Sequence, residues 1–313
     1  MYDSLIAHCP DAHLYVFAFD DLCFNILKKL NLPKMSIISM SEFEDEELLN
    51  VKKDRSVAEY CWTCTPSTIK YCIEKYSLNC CTYLDADLYF WSNPLVLIDE
   101  MGSKSVLITE HRYTKKYDQT KTSGKYCVQF MTFKNTQDGM NVLQWWRSAC
   151  LDWCYARFED GKFGDQKYLD DWMQRFDCVH ELKHLGGGVA PWNVQQYSFF
   201  DENGAVKGIE TTSGTGFEMV FFHFHYVRFY LNKKVELGQY KLSRNVLSII
   251  YAPYFKALWK AESLIKKAGY DIDPHWNQKY VLTWTTPLRI IKRTILGNYN
   301  MYKISSFENL HHV

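Results

Sequence analysis

The sequence predicts an α/β fold, a mostly parallel sheet flanked by helices over residues 1–240, followed by a helical, basic extension over residues 241–313. Three observations predict it. Short apolar runs alternate with helix-length amphipathic segments, the pattern of strands joined by crossover helices. With 313 residues and 47% hydrophobic content, the chain can bury a sizeable core, enough for one large domain with an appendage. Beyond about residue 240 the texture turns helical and basic.

The elements follow in order. DSLIAHC at 3–9 reads as a helix, HLYVFAFD at 13–20 as a strand, DLCFNILKKL at 21–30 as a helix and KMSIISM at 34–40 as a strand. SEFEDEELL at 41–49 is an acidic helix start, and a helix spans 57–76. CCTYLDADLYF at 80–90 reads as one strand. SVLITEH at 105–111, CVQFMTF at 127–133 and EMVFFHFHYVRF at 218–229 read as further strands, with a long helix at 139–158.

Lys plus Arg equals Asp plus Glu at 36 each, so no overall field attracts nucleic acid. The eleven cysteines are odd in number and scattered through apolar segments, as suits free thiols in a reducing compartment. Cys61 and Cys64 form a CxxC, weighed as a zinc site. They lie in an amphipathic helix with no second pair at finger spacing, which favours core packing. Residues 1–18 contain neither a basic leader with an apolar core nor a run long enough to span a bilayer. A cytoplasmic protein is expected.

Ligands of such sheets bind at the carboxyl ends of the strands, and DAD at 85–87 occupies one. In extended chain, residues i and i+2 share a face, so Asp85 and Asp87 can approach one ion while Ala86 points away. Their hard oxygens suit Mn²⁺ or Mg²⁺, which takes its other ligands from water and substrate phosphates. A solvated turn or a helix cap is the plainer reading of a bare DxD. His223 and His225 share a strand face, and an imidazole can complete the shell.

Between its strand and the aromatic run before Asn93 and Pro94, this DxD resembles the site of glycosyltransferases of the GT-A fold, where it binds the metal and the diphosphate of a nucleotide-sugar. Over roughly residues 1–230 the chain is similar to glycosyltransferase family eight, which includes glycogenin and bacterial galactosyltransferases. The matching pieces are KKDRSVAEY with Arg55, YCVQFMTFKN with Gln129, KFGDQKYLDDW with Asp165 and Gln166, GGGVAPWNVQQY with Trp192 and Asn193, and FFHFHYVR. Cys127 stands where Asn is usual, and Tyr226 replaces the Gly of an HFxG pattern that would make His223 the ligand.

The resemblance implies that Arg55, Gln129, Trp192, Asn193 and Arg228 face the donor, with Arg228 neutralising the leaving diphosphate. It implies that Asp165 orients sugar and acceptor hydroxyls, with Gln166 opposite the leaving group. The activity implied is metal-dependent transfer of a sugar, with retention, from a nucleotide-diphosphate sugar to a hydroxyl of a glycan, glycolipid or protein. Asp165 opening a helix is also a plain N-cap, and the glycines at 186–188 also suit a tight turn. GT-A domains begin with a strand that grips the nucleoside; here the chain opens in a helix, so that strand is expected to be missing.

Two rival readings stand beside this one. A sugar- or nucleotide-binding relative without turnover fits a missing strand. A metal phosphohydrolase also uses paired aspartates, but the haloacid type needs Thr or Val two positions after the second, where Tyr89 stands. In the tail, Leu288, Ile291, Ile295 and Leu296 share a helical face beside Arg289, Lys292 and Arg293. Peripheral contact of 285–303 with the inner face of a membrane is the corresponding expectation, against a helix packed on its own domain.

Overall fold

The computed structural model describes residues 1–231, 233–272 and 279–308. Through strand Cys80–Leu84 the elements follow the predicted alternation: helix Tyr2–His8, strand Leu14–Ala18, helix Asp21–Leu30, strand Met35–Ser39, short helices Met40–Phe43 and Glu46–Lys52, and helix Val57–Lys75. Local capping fixes the starts. The side chains of Asp20, Ser39 and Asp45 accept from the backbone N–H groups of Cys23, Glu42 and Leu48. Ser56 and Glu59 form a reciprocal capping box that opens Val57–Lys75.

The architecture is mixed α/β with several small sheets, which corrects the expectation of a mostly parallel one. Leu14–Ala18 and Met35–Ser39 pair in parallel across helix Asp21–Leu30. A separate four-stranded sheet runs Cys80–Leu84, Tyr126–Lys134, Val106–Glu110, Val179–Glu181; only its last pairing is parallel. The connections explain this. Between Val106–Glu110 and Tyr126–Lys134 lie only the turn Lys115–Tyr117 and the four-residue helix Thr120–Ser123, with no crossover helix, and the chain returns antiparallel.

Two predicted strands are also divided. The run 80–90 breaks at the aspartates, and its second half, Leu88–Phe90, pairs antiparallel with Phe221–His223 outside the four-stranded sheet. The run 218–229 turns between Phe221–His223 and Arg228–Tyr230, where Tyr226 takes φ +69°. Helix Gln137–Asp152 ends before residue 158. The antiparallel strands Tyr197–Glu202, Ala205–Glu210 and Gly216–Glu218 carry no counterpart in the sequence reading.

The extension shares its core with the strands that carry the candidate site. Val246, Ile250, Tyr251 and Phe255 pack in one cluster with Trp91, Val189, Phe222 and Phe224. Strand Met301–Lys303 then pairs with Lys234–Glu236. All eleven cysteines are free thiols. Cys64 is fully buried, and burial pushes its thiol up to about 12, as suits a side chain packed in the core. No helix among the described residues is long and apolar enough to cross a membrane.

One ion cluster ties the edge of the four-stranded sheet. Tyr126 Oη and Lys125 Nζ each donate to Glu181 Oε2 at 2.6 Å, and Lys183 Nζ donates to the other oxygen. Burial alone would raise the Glu181 carboxyl, but these donors outweigh it and hold it down at about 2. A depressed folded value stabilises above the unfolded pKa of about 4.3 and is lost as pH falls through about 2. Glu181→Gln should therefore cost about 1–3 kcal/mol at neutral pH, discounted for the exposed lysines, with the gap to wild type closing on acidification. Urea unfolding of both proteins across pH measures it; a gap independent of pH would contradict it.

Candidate metal and catalytic site

The site forms where the run 80–90 is broken. Asp85 N–H donates to the Gln129 carbonyl at 3.0 Å, extending the ladder one residue beyond Leu84, and Leu88 N–H turns back to the Asp85 carbonyl at 3.4 Å. Leu88 lies opposite His223 in the antiparallel pair, and Phe224 N–H donates to the Asp87 carbonyl at 2.9 Å. This pairing swings the imidazole over both aspartates: His223 Nε2 lies 3.1 Å from Asp87 Oδ1 and 3.6 Å from Asp85 Oδ2. One ligand atom from each residue falls within 4.8 Å of the others.

Gln129 sets the orientation of that ring. It is wholly buried, and its Oε1 lies 2.8 Å from His223 Nδ1, so the pairing assigns the Nδ1 proton and turns Nε2 toward the carboxylates. Its Nε2 is buried without a partner. Gly188, at φ +92°, allows the close approach: a Cβ there would come within 3.1 Å of that nitrogen and 2.8 Å of Thr109 Cγ2. Gly186 has a similar role, since its Cβ would meet the Glu218 carbonyl oxygen at 1.9 Å. The run also meets the strand that bears His223, since Phe221 N–H donates to the Gly186 carbonyl at 3.2 Å and His223 N–H to the Val189 carbonyl at 2.9 Å.

Charge explains the arrangement. Burial raises Asp85, and the charge of Asp87 adds to this against the opposing pull of His223. Burial would raise Asp87 too, but the charge and hydrogen bond of His223 hold it below the usual carboxylate range. Burial opposes protonation of His223, yet the two carboxylates raise it well above an ordinary histidine. The carboxylates therefore call for a cation between them, either a proton on His223 or a metal ion in its place.

Other expected residues fall around this cluster. Asp165 is buried and does not cap the following 3₁₀ turn Lys167–Asp171; burial, then the charge of Asp85, pushes it up to about 7. The Thr65 hydroxyl lies beside it and favours its ionised form, and Tyr83 Oη donates to Asp85 Oδ1 at 2.9 Å. Gln166 Nε2 donates to the Ser123 carbonyl at 2.6 Å. The Trp192 ring stands edge-on to His223, with centroids 5.3 Å apart, and close to His225 at 5.5 Å.

The remaining candidates have other engagements. His225 is exposed, its ring centroid 5.9 Å from that of His223, and it lies outside the Asp–Asp–His group. Asn193 is wholly buried; its Nδ2 donates to the carbonyls of His111 and Gly188 at 2.8 Å each, which fixes the loop behind the site. Arg55 stacks on Tyr155 at 3.8 Å, with Nη2 3.4 Å from the Leu151 carbonyl. Arg228 is exposed and lies over Tyr226 at 4.2 Å.

Sequence reasoning missed His111. It is buried and stacked on Tyr113 at 4.5 Å, and its carbonyl accepts from both Trp192 and Asn193. Burial holds its ring neutral down to about 3, against the Lys125 carbonyl beside it, which favours the protonated form. A signal was present, because His111 follows strand Val106–Glu110 at its carboxyl end, just as Asp85 follows Cys80–Leu84. Thr65 and Tyr83 carried no comparable signal; they are ordinary residues until folding brings them beside Asp165 and Asp85.

No protein-family model matches the chain. It is 29% identical over 280 residues to the uncharacterized protein YfnD of Bacillus subtilis (strain 168), covering 87% of each chain. It is 28% identical over 232 residues to the uncharacterized protein YfnF of the same organism, covering 72% of this chain and 75% of that one. Neither name states an activity, so chemistry has to be argued from the site.

Mn²⁺ titration followed by electron paramagnetic resonance tests the cluster. Asp87→Asn should abolish binding. Gln129→Leu, which leaves the His223 ring without its orienting acceptor, should weaken binding about 10- to 100-fold, with circular dichroism reporting whether each variant folds. Equal Mn²⁺ affinity in folded wild type and Asp87→Asn would remove the site.

Proposed function

We propose that the protein is a metal-dependent, retaining glycosyltransferase of the GT-A class, moving a sugar from a nucleotide-diphosphate sugar to a hydroxyl of a glycan, glycolipid or protein. The observation that carries this reading is the convergence of Asp85, Asp87 and His223 at a strand end, backed by the buried Gln129. Two carboxylates and one oriented imidazole fit Mn²⁺ or Mg²⁺. When bound, such an ion supplies Lewis-acid neutralisation of the leaving diphosphate.

The chain's own residues supply the rest. Asp165, with its carboxyl near neutrality, can give or take a hydrogen bond at a sugar hydroxyl, a role closed to the ionised Asp87. Gln166 contributes an amide at the next position, and the buried Trp192 ring packs edge-on against His223 and backs the site. In the same-face reaction, the bond from anomeric carbon to diphosphate oxygen breaks as the acceptor oxygen bonds to that carbon. The acceptor's proton passes to the departing diphosphate.

A panel of nucleotide-diphosphate sugars incubated with the protein and Mn²⁺ tests the proposal. Release of nucleotide diphosphate should require the metal. Asp165→Asn and Gln166→Ala should each lower turnover about 10²–10⁴-fold and leave nucleotide affinity nearly unchanged, because they act on the sugar side. NMR of the product should show the donor's anomeric configuration. Tight nucleotide binding without release would establish a binding relative instead, and an inverted product would overturn the retaining mechanism.

A further inference from the structure

Helix Thr286–Ile295 is packed with its polar side inward. Thr286 is only 3% exposed, and Arg293 reaches under the helix to donate to Glu236 Oε1 at 2.6 Å and to the Gly238 carbonyl at 2.9 Å. Its apolar stripe faces out: Leu288, Ile291 and Ile295 are 64%, 55% and 79% exposed. The segment leading into it continues the pattern, with Val281, Leu282 and Trp284 at 71%, 74% and 88%. Isolated exposed apolar side chains are ordinary, but a contiguous stripe of this kind marks an interaction surface.

Charge identifies what the stripe meets. From residue 279 to residue 307 the chain carries Lys279, Arg289, Lys292, Arg293 and Lys303 and no Asp or Glu, although the whole chain is neutral. Arg289 and Lys292 are exposed beside the stripe. A second copy of the chain laid stripe to stripe would bring these cations together with no carboxylate in the segment to meet them. An anionic bilayer presents the complement: apolar depth for Leu288, Ile291 and Ile295, phosphates for the cations, and an interfacial level for the indole of Trp284.

We propose that residues 281–296 form a docking surface for the face of an anionic phospholipid bilayer, with helix Thr286–Ile295 lying flat in the headgroup layer. The helix is firmly held to the body for this purpose. Besides the Arg293–Glu236 pair, Asn298 Nδ2 donates to the Gln239 carbonyl at 3.0 Å and Asn300 Nδ2 to the Tyr240 carbonyl at 2.6 Å. Tyr240 itself packs in the cluster of Cys127, Ala190 and Trp192 beside the candidate site. One loop, residues 238–240, thus joins the docking helix to that site. The docking proposal stands whether or not the chain transfers sugars.

Co-sedimentation of the full chain with vesicles tests it, using phosphatidylcholine alone and phosphatidylcholine with about one-third phosphatidylglycerol. Binding at low salt should be at least about tenfold stronger to the anionic vesicles and should fall with added salt. The double variant Ile291→Glu, Ile295→Glu should lose binding with its melting temperature unchanged, since both side chains face water. Arg289→Glu with Lys292→Glu should lose the preference for anionic vesicles; Arg293 is left intact because it holds Glu236. Failure of wild type to bind anionic vesicles at low salt overturns the proposal. So does binding that survives the Ile291→Glu, Ile295→Glu change. Sedimentation showing a dimer that this same variant dissociates, without vesicle binding by wild type, would assign the stripe to a second copy.

Discussion

Two carboxylates held close together repel, and the centre of this molecule is organised around the cation they require. At about 4 Å and an effective dielectric near 20, two like unit charges cost about 4 kcal/mol. A single hydrogen bond to a carboxylate, such as that from Tyr83, returns only about 1.5–3 kcal/mol. The compensation has to be a charge, and His223 is placed to be one or to bind one. Placing it there dictates the rest: the strand must break after Leu84, Leu88–Phe90 must leave for a partner, and Phe221–His223 must arrive antiparallel. Gly186 and Gly188 are small because the Glu218 carbonyl lies against the first and Thr109 and Gln129 against the second.

The same environment separates the carboxyl groups by role. Asp87 has His223 against it and stays ionised, whereas the deeper Asp165 has no cation and faces the charge of Asp85. One site therefore holds a fixed anion suited to a metal and a carboxyl poised near neutrality, suited to hydrogen-bond exchange with a hydroxyl. His111 stays neutral behind them, so its carbonyl and ring hold Trp192 and Asn193 without adding charge. Burial acts on all these groups; the nearest partner decides which way each one moves.

What could be read from the sequence was mostly local. The helix starts at Asp21 and Val57 were legible because the capping residues are adjacent to them, whereas the single acidic start read at 41–49 divides into Met40–Phe43 and Glu46–Lys52, capped separately by Ser39 and Asp45. Asp85 and Asp87 were legible as acids at a strand end, and His223 as a candidate partner. The break between Leu84 and Leu88 was not, because only pairing with a segment more than 130 positions away decides it. The sheet's mixed sense failed for a related reason: alternation suggested crossovers, and the segment between Val106–Glu110 and Tyr126–Lys134 supplies none. Arg55 and Asn193 matched a family pattern by position, yet a pattern does not say whether a side chain meets a ligand or a neighbouring ring and carbonyl.

The tail shows the same limit from the opposite direction. Helical periodicity correctly grouped Leu288, Ile291 and Ile295, but an amphipathic wheel does not state which side the body takes. Here a buried ion pair decides it. Arg293 and Glu236 are both largely enclosed, and removing one partner of such a pair costs about 3–5 kcal/mol. The three side chains of the stripe are already partly covered, so rotating the helix to bury them fully would recover about 1–2 kcal/mol each, about 3–6 kcal/mol in all. In water the two orientations are therefore closely balanced, and the observed one leaves the apolar gain uncollected. A lipid surface that takes up the stripe while the ion pair stays closed collects both contributions at once, which neither orientation of the isolated chain can do.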